Sequence, residues 1–299
     1  MSDSMNVFDR RLVRRNRDRA AEGLGAHDFL FREVAERLAD RLDDVTRRFP
    51  RALDLGCHGG ELAAILRGRG GIETLVQCDL SPAMARRARS NGNATLVADE
   101  EALPFAPESF DLVISNLSLH WVNDLPGCLL QIRQCLKPDG LFLAAMLGGD
   151  TLAELRQALM EAELAESGGV SPRISPFADL RDAGGLLQRA GFALPVVDGD
   201  RLTATYPDAL GLMRDLRGMG EANAVQVRSR RITPRTLFAR AEHLYRRTAD
   251  AGGRLAATFQ IITMTAWAPH ADQQRPLTPG SARSRLADAL GVDERTGRR

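Results

Sequence analysis

Between residues 51 and 146 the chain alternates short apolar runs with helical ones, and this alternation restricts its fold more than any other feature. Arg51-Ala-Leu-Asp-Leu-Gly reads as a strand ending in an acid and a glycine, and Glu61 to Arg67 as a helix with Leu62, Ile65 and Leu66 inward, stopped by Gly70-Gly71. Thr74 to Cys78, Ala94 to Val97, Phe110 to Ser115 and Leu141 to Met146 read as four further strands. The run from Phe110 is strongly apolar, which places it at the centre of a sheet. Ser81-Pro82 starts a helix, with serine as cap and proline at the first helical position. Leu125 to Leu136 is helical, and Lys137-Pro-Asp-Gly turns the chain into the last of these strands. The pattern predicts a doubly wound α/β sheet with right-handed crossovers. Ligands of such sheets bind beyond the carboxyl ends of the strands, so the first three strand ends are the places to search.

The flanks are helical before and mixed after. Residues 7–48 read as an N-terminal helical cap, with Phe31, Val34, Leu38 and Leu42 at helical spacing in its second half. Its first half carries six arginines from Arg10 to Arg19 among Asp9 and Asp18; a solvated face is the preferred reading, capping of a ligand the alternative. Thr151-x-x-Glu154 reads as a capping box opening a helix. Phe192 to Val197 reads as a sixth strand, residues 203–255 as mainly helical, and Ala256 to Ala266 as the last strand. This divides the chain into a cap (1–48), a sheet domain (49–268) with an insert at about 203–255, and a polar tail (269–299).

Composition removes several function classes. Forty basic against 39 acidic residues leave a formal charge of +1, so no overall field holds nucleic acid. The longest apolar run, Leu141 to Leu147, is far short of a membrane span, and no integral membrane segment is expected. Four scattered cysteines without a C-x-x-C pair argue against a disulfide scaffold or a structural zinc site and for reduced thiols in a cytosolic protein. His270-Ala-Asp272 has a metal-like spacing but lies in the polar tail; no metal site is expected.

The chemistry-bearing constellation is the set of strand ends. The first is Asp54-Leu-Gly-Cys-His-Gly-Gly60, a loop that lets backbone approach a ligand, with a plain tight turn as the competing reading. His58 and Glu61 stand where a dinucleotide fingerprint needs glycines, which counts against NAD. Asp79 ends the second strand and is placed to accept from both ribose hydroxyls, or to serve as a helix-entry residue beside Ser81. Asp99-Glu100-Glu101 ends the third, where an acid can accept from an adenine amino group or form an exposed turn. Together they suit a nucleoside with an amino-acid-like tail better than a pyrophosphate.

Asp54-x-Gly56, Asp79-Leu-Ser-Pro, Ala98-Asp99, Leu103-Pro-Phe, Ser109-Phe-Asp-Leu-Val and Leu136-Lys-Pro-Asp-Gly, in this order, resemble the class I S-adenosylmethionine (SAM)-dependent methyltransferases. Met5-Asn-Val-Phe-Asp-Arg, Ser115-Asn-Leu-Ser-Leu-His-Trp-Val-Asn-Asp-Leu, Gly148-Gly-Asp-Thr-Leu, Ser175-Pro-Phe and Gly218-Met-Gly-Glu-Ala-Asn extend the likeness to the methyltransferase-type mitochondrial complex I assembly factors and their bacterial relatives. The resemblance implies a mostly parallel, seven-stranded, Rossmann-like sheet with an antiparallel last pair and a helical insert over the substrate side. It implies SAM as cofactor, a complex I subunit as protein substrate, and arginine hydroxylation as the family's reported reaction. Asp54, Gly56, Cys57 and Gly60 would line the methionine end. Asp79 and Leu80 would hold the ribose, Asp99 and Glu100 would flank adenine, and Asn116 would sit near the sulfonium. His58 departs from the family's glycine, and its replacement by glycine is expected to keep the fold and tighten SAM binding.

His120, Trp121 and Asp124 follow the fourth strand, where a substrate would meet the cofactor. Histidine can act as a base near neutral pH, tryptophan can stack on a cation and aspartate can pair with a guanidinium, with Glu221 as a further wall. The competing readings are that His120 and Trp121 pack under the insert and that Asp124 caps the helix at Leu125. For the whole chain, the alternatives to a protein-arginine enzyme are a small-molecule or carrier-bound carboxyl O-methyltransferase and a non-catalytic assembly factor.

Overall fold

The computed structural model describes residues 6–274 and Ser281. Met5 of the opening motif and most of the polar tail lie outside these residues. The chain through Pro269 forms one compact unit and His270–Arg299 a second.

Seven strands make one sheet: β1 (Arg51–Leu55), β2 (Thr74–Asp79), β3 (Ala94–Val97), β4 (Phe110–Asn116), β5 (Leu136–Leu147), β6 (Ala193–Tyr206) and β7 (Leu255–Trp267). Their order is β3-β2-β1-β4-β5-β7-β6. The first five run parallel, and β7 pairs antiparallel with both β5 and β6. The sheet is therefore the doubly wound, mostly parallel one expected. Strand order reverses between β1 and β4, which puts the switch point at the Gly56 loop and at Asn116-Leu117-Ser118.

Helices α1 (Arg10–Ala20), α2 (Phe29–Asp43), α3 (Glu61–Leu66), α4 (Pro82–Ala88), α5 (Leu125–Cys135), α6 (Ala153–Ser167), α7 (Leu180–Arg189), α8 (Ala209–Met219) and α9 (Arg235–Tyr245) cover the sheet. Alternate residues of β5 face opposite cores. Leu141, Leu143, Ala145 and Leu147 join α2, α6, α8 and α9; Phe142, Ala144 and Met146 join α5 and α7.

Two local readings change. The capping box fails because β7 takes both of its side chains. Thr151 Oγ1 accepts from the Gln260 amide at 3.2 Å, Glu154 accepts from the Thr258 hydroxyl at 2.5 Å, and Leu152 stands at the cap with φ +55°. The stretch taken as helical from 203 opens as strand. β6 continues to Tyr206, so the helices of the insert lie within 207–254.

Candidate functional site

The glycine-rich loop is shaped by the backbone angles it must adopt. Gly56 has φ +71°, and a Cβ there would lie 2.1 Å from Ser118 Oγ; Gly60 has φ +90°. His58 also takes a positive φ, +48°, which histidine tolerates better than most residues but less well than glycine. Its ring is buried, stacked on Phe31 with centroids 4.1 Å apart. Its Nε2 donates toward the carbonyls of Asn116 at 3.1 Å and Leu117 at 3.2 Å. Burial, followed by nearby Arg17, pushes its pKa down, so the ring is neutral and an Nε2 proton is consistent with the two carbonyls. The imidazole thus ties the glycine loop to the end of β4.

Asp54 is fully buried; one carboxylate oxygen accepts from Gln77 Nε2 at 3.1 Å and the other makes no hydrogen bond. Burial raises its pKa to about 7. Cys57 is buried, and burial pushes its thiol up, which makes it an unreactive packing residue. The Asn116 side chain donates to the Phe31 carbonyl at 2.8 Å, and its own side-chain oxygen is buried without a partner. Leu80 packs against the cluster of Phe8, Leu12 and Trp121.

The acids after β2 and β3 do meet, and their partners are arginines of α1. Arg17 is completely buried; its Nη1 lies 3.2 Å from both Asp79 Oδ2 and Glu100 Oε1, and its Nη2 donates to Ser118 Oγ at 2.9 Å. Arg10 pairs with Asp99 at 2.5 Å and with Glu100. Burial alone would raise Glu100, but Arg10 and Arg17 hold it down to about 2. The reading of the Arg10–Arg19 stretch as a solvated face is corrected in part: Arg11, Arg14, Arg15 and Arg19 are exposed, but Arg10 and Arg17 face inward because buried carboxylates need a charged partner. The available signal was spacing, since Arg10, Val13, Arg17 and Ala20 fall on one helical face. The chemistry of Asp79, Asp99 and Glu100 suits a nucleoside, but the residues do not admit one while Arg17 contacts Asp79 and Glu100.

Behind this cluster lies a cavity of roughly 320 Å³, walled by Trp121, Leu147, Phe177, Met213, Glu221 and Phe259 among others. Glu221 is buried at its edge, where Oε2 accepts from His120 Nε2 and Trp121 Nε1, both at 2.9 Å. Burial would raise this carboxyl, yet His120 and Arg17 hold it below its ordinary value, so it is ionised. Its Oε1 makes no hydrogen bond. His120 and Trp121 therefore pack under the insert and orient Glu221. Asp124 is not part of this site: its carboxylate caps α5, accepting from the Gly127 amide at 2.9 Å. Arg10, Arg17 and Ser118 had no place among the sequence-derived site residues. Among the described residues no cluster of three His, Cys, Asp or Glu could hold a metal.

Strand order, glycine loop and strand-end acids define a class I methyltransferase-fold enzyme. Residues 53–144 match the methyltransferase domain family. The YcgJ protein of Bacillus subtilis shares the fold, with a TM-score of 0.57 at 15% identity over 78% of this chain and 98% of that one. The mitochondrial arginine-hydroxylase NDUFAF5 of Danio rerio is 45% identical over 95% of this chain and 89% of its own length. The malonyl-[acyl-carrier protein] O-methyltransferase of Laribacter hongkongensis is 37% identical over 91% of this chain and 94% of its own. The chain belongs to the NDUFAF5 arginine-hydroxylase family within the methyltransferase fold.

Proposed function

We propose that this enzyme modifies an arginine side chain of a protein, a subunit of respiratory complex I, and uses SAM-type cofactor chemistry at the carboxyl ends of β1 to β3. The observation that carries the substrate reading is Glu221, an ionised, buried carboxylate with one oxygen unpartnered at the edge of a cavity. A guanidinium supplies what that oxygen lacks, two N–H donors and a positive charge, and the faces of Trp121 and Phe177 suit its planar cation. The 45% identity to an arginine-hydroxylase supports the same substrate class. His120 and Trp121 hold Glu221 in place rather than acting as bases.

The apolar walls Leu147, Leu155, Leu159, Met213 and Phe259 would also accept a carrier-bound acyl chain, the substrate in the Laribacter relative's name. An acyl group ending in a carboxylate would meet the ionised Glu221, and like charges in a desolvated site repel, which favours arginine. Four free cysteines, all buried, accord with residence in a reducing compartment, the cytosol in a bacterium.

The test is mass spectrometry of complex I peripheral subunits from the source organism with and without this gene. An arginine carrying an added oxygen or an added methyl group only when the gene is present supports the proposal and settles which group is transferred. Identical arginines in both strains, with complex I assembled, refute it.

A further inference from the structure

Arg17 and Arg10 occupy the atoms a nucleoside would use. Arg17 contacts Asp79, the acid placed for a ribose, and Glu100, one of the acids placed beside adenine. Arg10 covers the other, Asp99, and the second oxygen of Glu100. All of these contacts except the Arg10 and Asp99 side chains are completely closed to solvent. Asp79 Oδ2 also accepts from the His58 amide at 3.1 Å and Oδ1 from the Ser81 amide at 2.7 Å, so a ribose reaches this buried carboxylate only by displacing Arg17.

The same helix is fastened to the segment that carries Glu221. Asn16 Nδ2 donates to the Ala222 carbonyl at 3.1 Å, and the Asp9 amide to the Ala224 carbonyl at 2.8 Å. Phe8 meets Trp121 edge-on at 5.2 Å. Gly220, with φ +84°, would bring a Cβ to 3.2 Å from Arg17 Cα, so the two backbones are in near contact. Leu24, just beyond the helix, is fully buried and anchors the connection to α2.

We propose that α1 is an internal competitor for the cofactor site: an adenosyl ligand enters only when Arg17 and Arg10 leave Asp79, Asp99 and Glu100, and that withdrawal releases residues 220–224, which present Glu221 to the substrate cavity. Cofactor entry and access to the arginine site are then one conformational step. The inference rests on the SAM-type cofactor reading made above.

The experiment titrates S-adenosylhomocysteine into the full chain and into Arg17→Met and Arg10→Ala by calorimetry, and follows hydrogen exchange of residues 10–20 and 220–224 with and without it. Because apparent affinity scales with the fraction of open chain, both variants are expected to bind roughly tenfold tighter or better. In the wild-type chain both segments are expected to lose protection on binding. Weaker binding by the variants would show that the arginines are cofactor ligands, and saturable binding with α1 protection unchanged or increased would equally overturn the proposal. Should Arg17→Met not fold, Arg10→Ala, at the partly exposed rim, and the exchange data decide. Absence of binding by every form would refute the cofactor reading itself, a result distinct from either of the others.

Discussion

Replacing His58 by glycine tests how the altered loop works, and the structure adds a stability cost to the expectation drawn from the family pattern. Two effects oppose each other. Glycine relieves a residue held at φ +48°, which returns about 1–2 kcal/mol. Against this, the change removes a fully packed ring stacked at 18° on Phe31 and the donor shared by the Asn116 and Leu117 carbonyls. Truncating a large buried side chain costs about 3–5 kcal/mol when the site cannot collapse. Collapse is hindered here, because Phe31 and Leu117 on either side of the ring are both buried in the same packed core. The net loss is about 2–3 kcal/mol, and for a chain of this size each kcal/mol moves Tm by about 2–4 °C. Differential scanning fluorimetry should therefore show His58→Gly melting roughly 5–10 °C below wild type. An unchanged or higher Tm would mean that the ring contributes nothing beyond strain, and the account of the loop as a tie to β4 would be wrong.

Gly56→Ala should be far less tolerated, since its Cβ would lie 2.1 Å from Ser118 Oγ at a φ of +71°; a urea midpoint within experimental error of wild type would contradict this. Asp54→Asn should stabilise the protein in a pH-dependent way. Burial raises the folded pKa to about 7 from 3.8, so between those values the unfolded chain has lost a proton that the folded chain keeps, and wild-type stability falls as pH rises. The Tm advantage of the variant should grow from about pH 4 to about pH 7 and then level off, whereas a constant difference would exclude a buried, titrating Asp54. Glu221→Gln keeps an acceptor for His120 and Trp121 but removes the charge, so arginine modification should slow by roughly 10–100-fold, the value of about 1.5–3 kcal/mol for a charged hydrogen bond, with little change in Tm. Modification at the wild-type rate, followed by mass spectrometry, would remove Glu221 from substrate recognition.

The central sheet was legible because burial on both faces leaves an unmixed apolar signal. Phe110–Asn116 has one half-buried residue, Asp111, among seven, and needs no periodicity to be recognised. The outer half of β6 was not legible for the opposite reason. Asp198, Gly199, Asp200 and Arg201 look like a turn, yet they form an edge strand whose acids are paired by Arg41 and Arg37 of α2. Helix α7 escaped notice because Gly184 and Gly185 interrupt it and its buried face consists only of Ala183 and Leu187.

In the site, positions that backbone geometry dictates could be read in advance, and positions that pair across the fold could not. Gly56, Gly60, Asp79 and Asp99 follow from where strands end, a local property. Which of six nearby arginines turns inward depends on what lies opposite, and Arg17 is 62 residues from Asp79 and 101 from Ser118. Glu221 is legible only as a wall of the substrate site; that Trp121 holds it depends on a contact across 100 residues. Arg17 and Glu221 are both charged, with buried side chains, a state that a counter-charge makes tolerable. Arg17 pairs with Asp79 and Glu100 and, with His120, also holds Glu221 below its ordinary value, while Glu221 Oε1 makes no hydrogen bond. One buried arginine of the first helix thus sets the charge state of carboxylates on both sides of the switch point, a coupling that no local stretch of sequence displays.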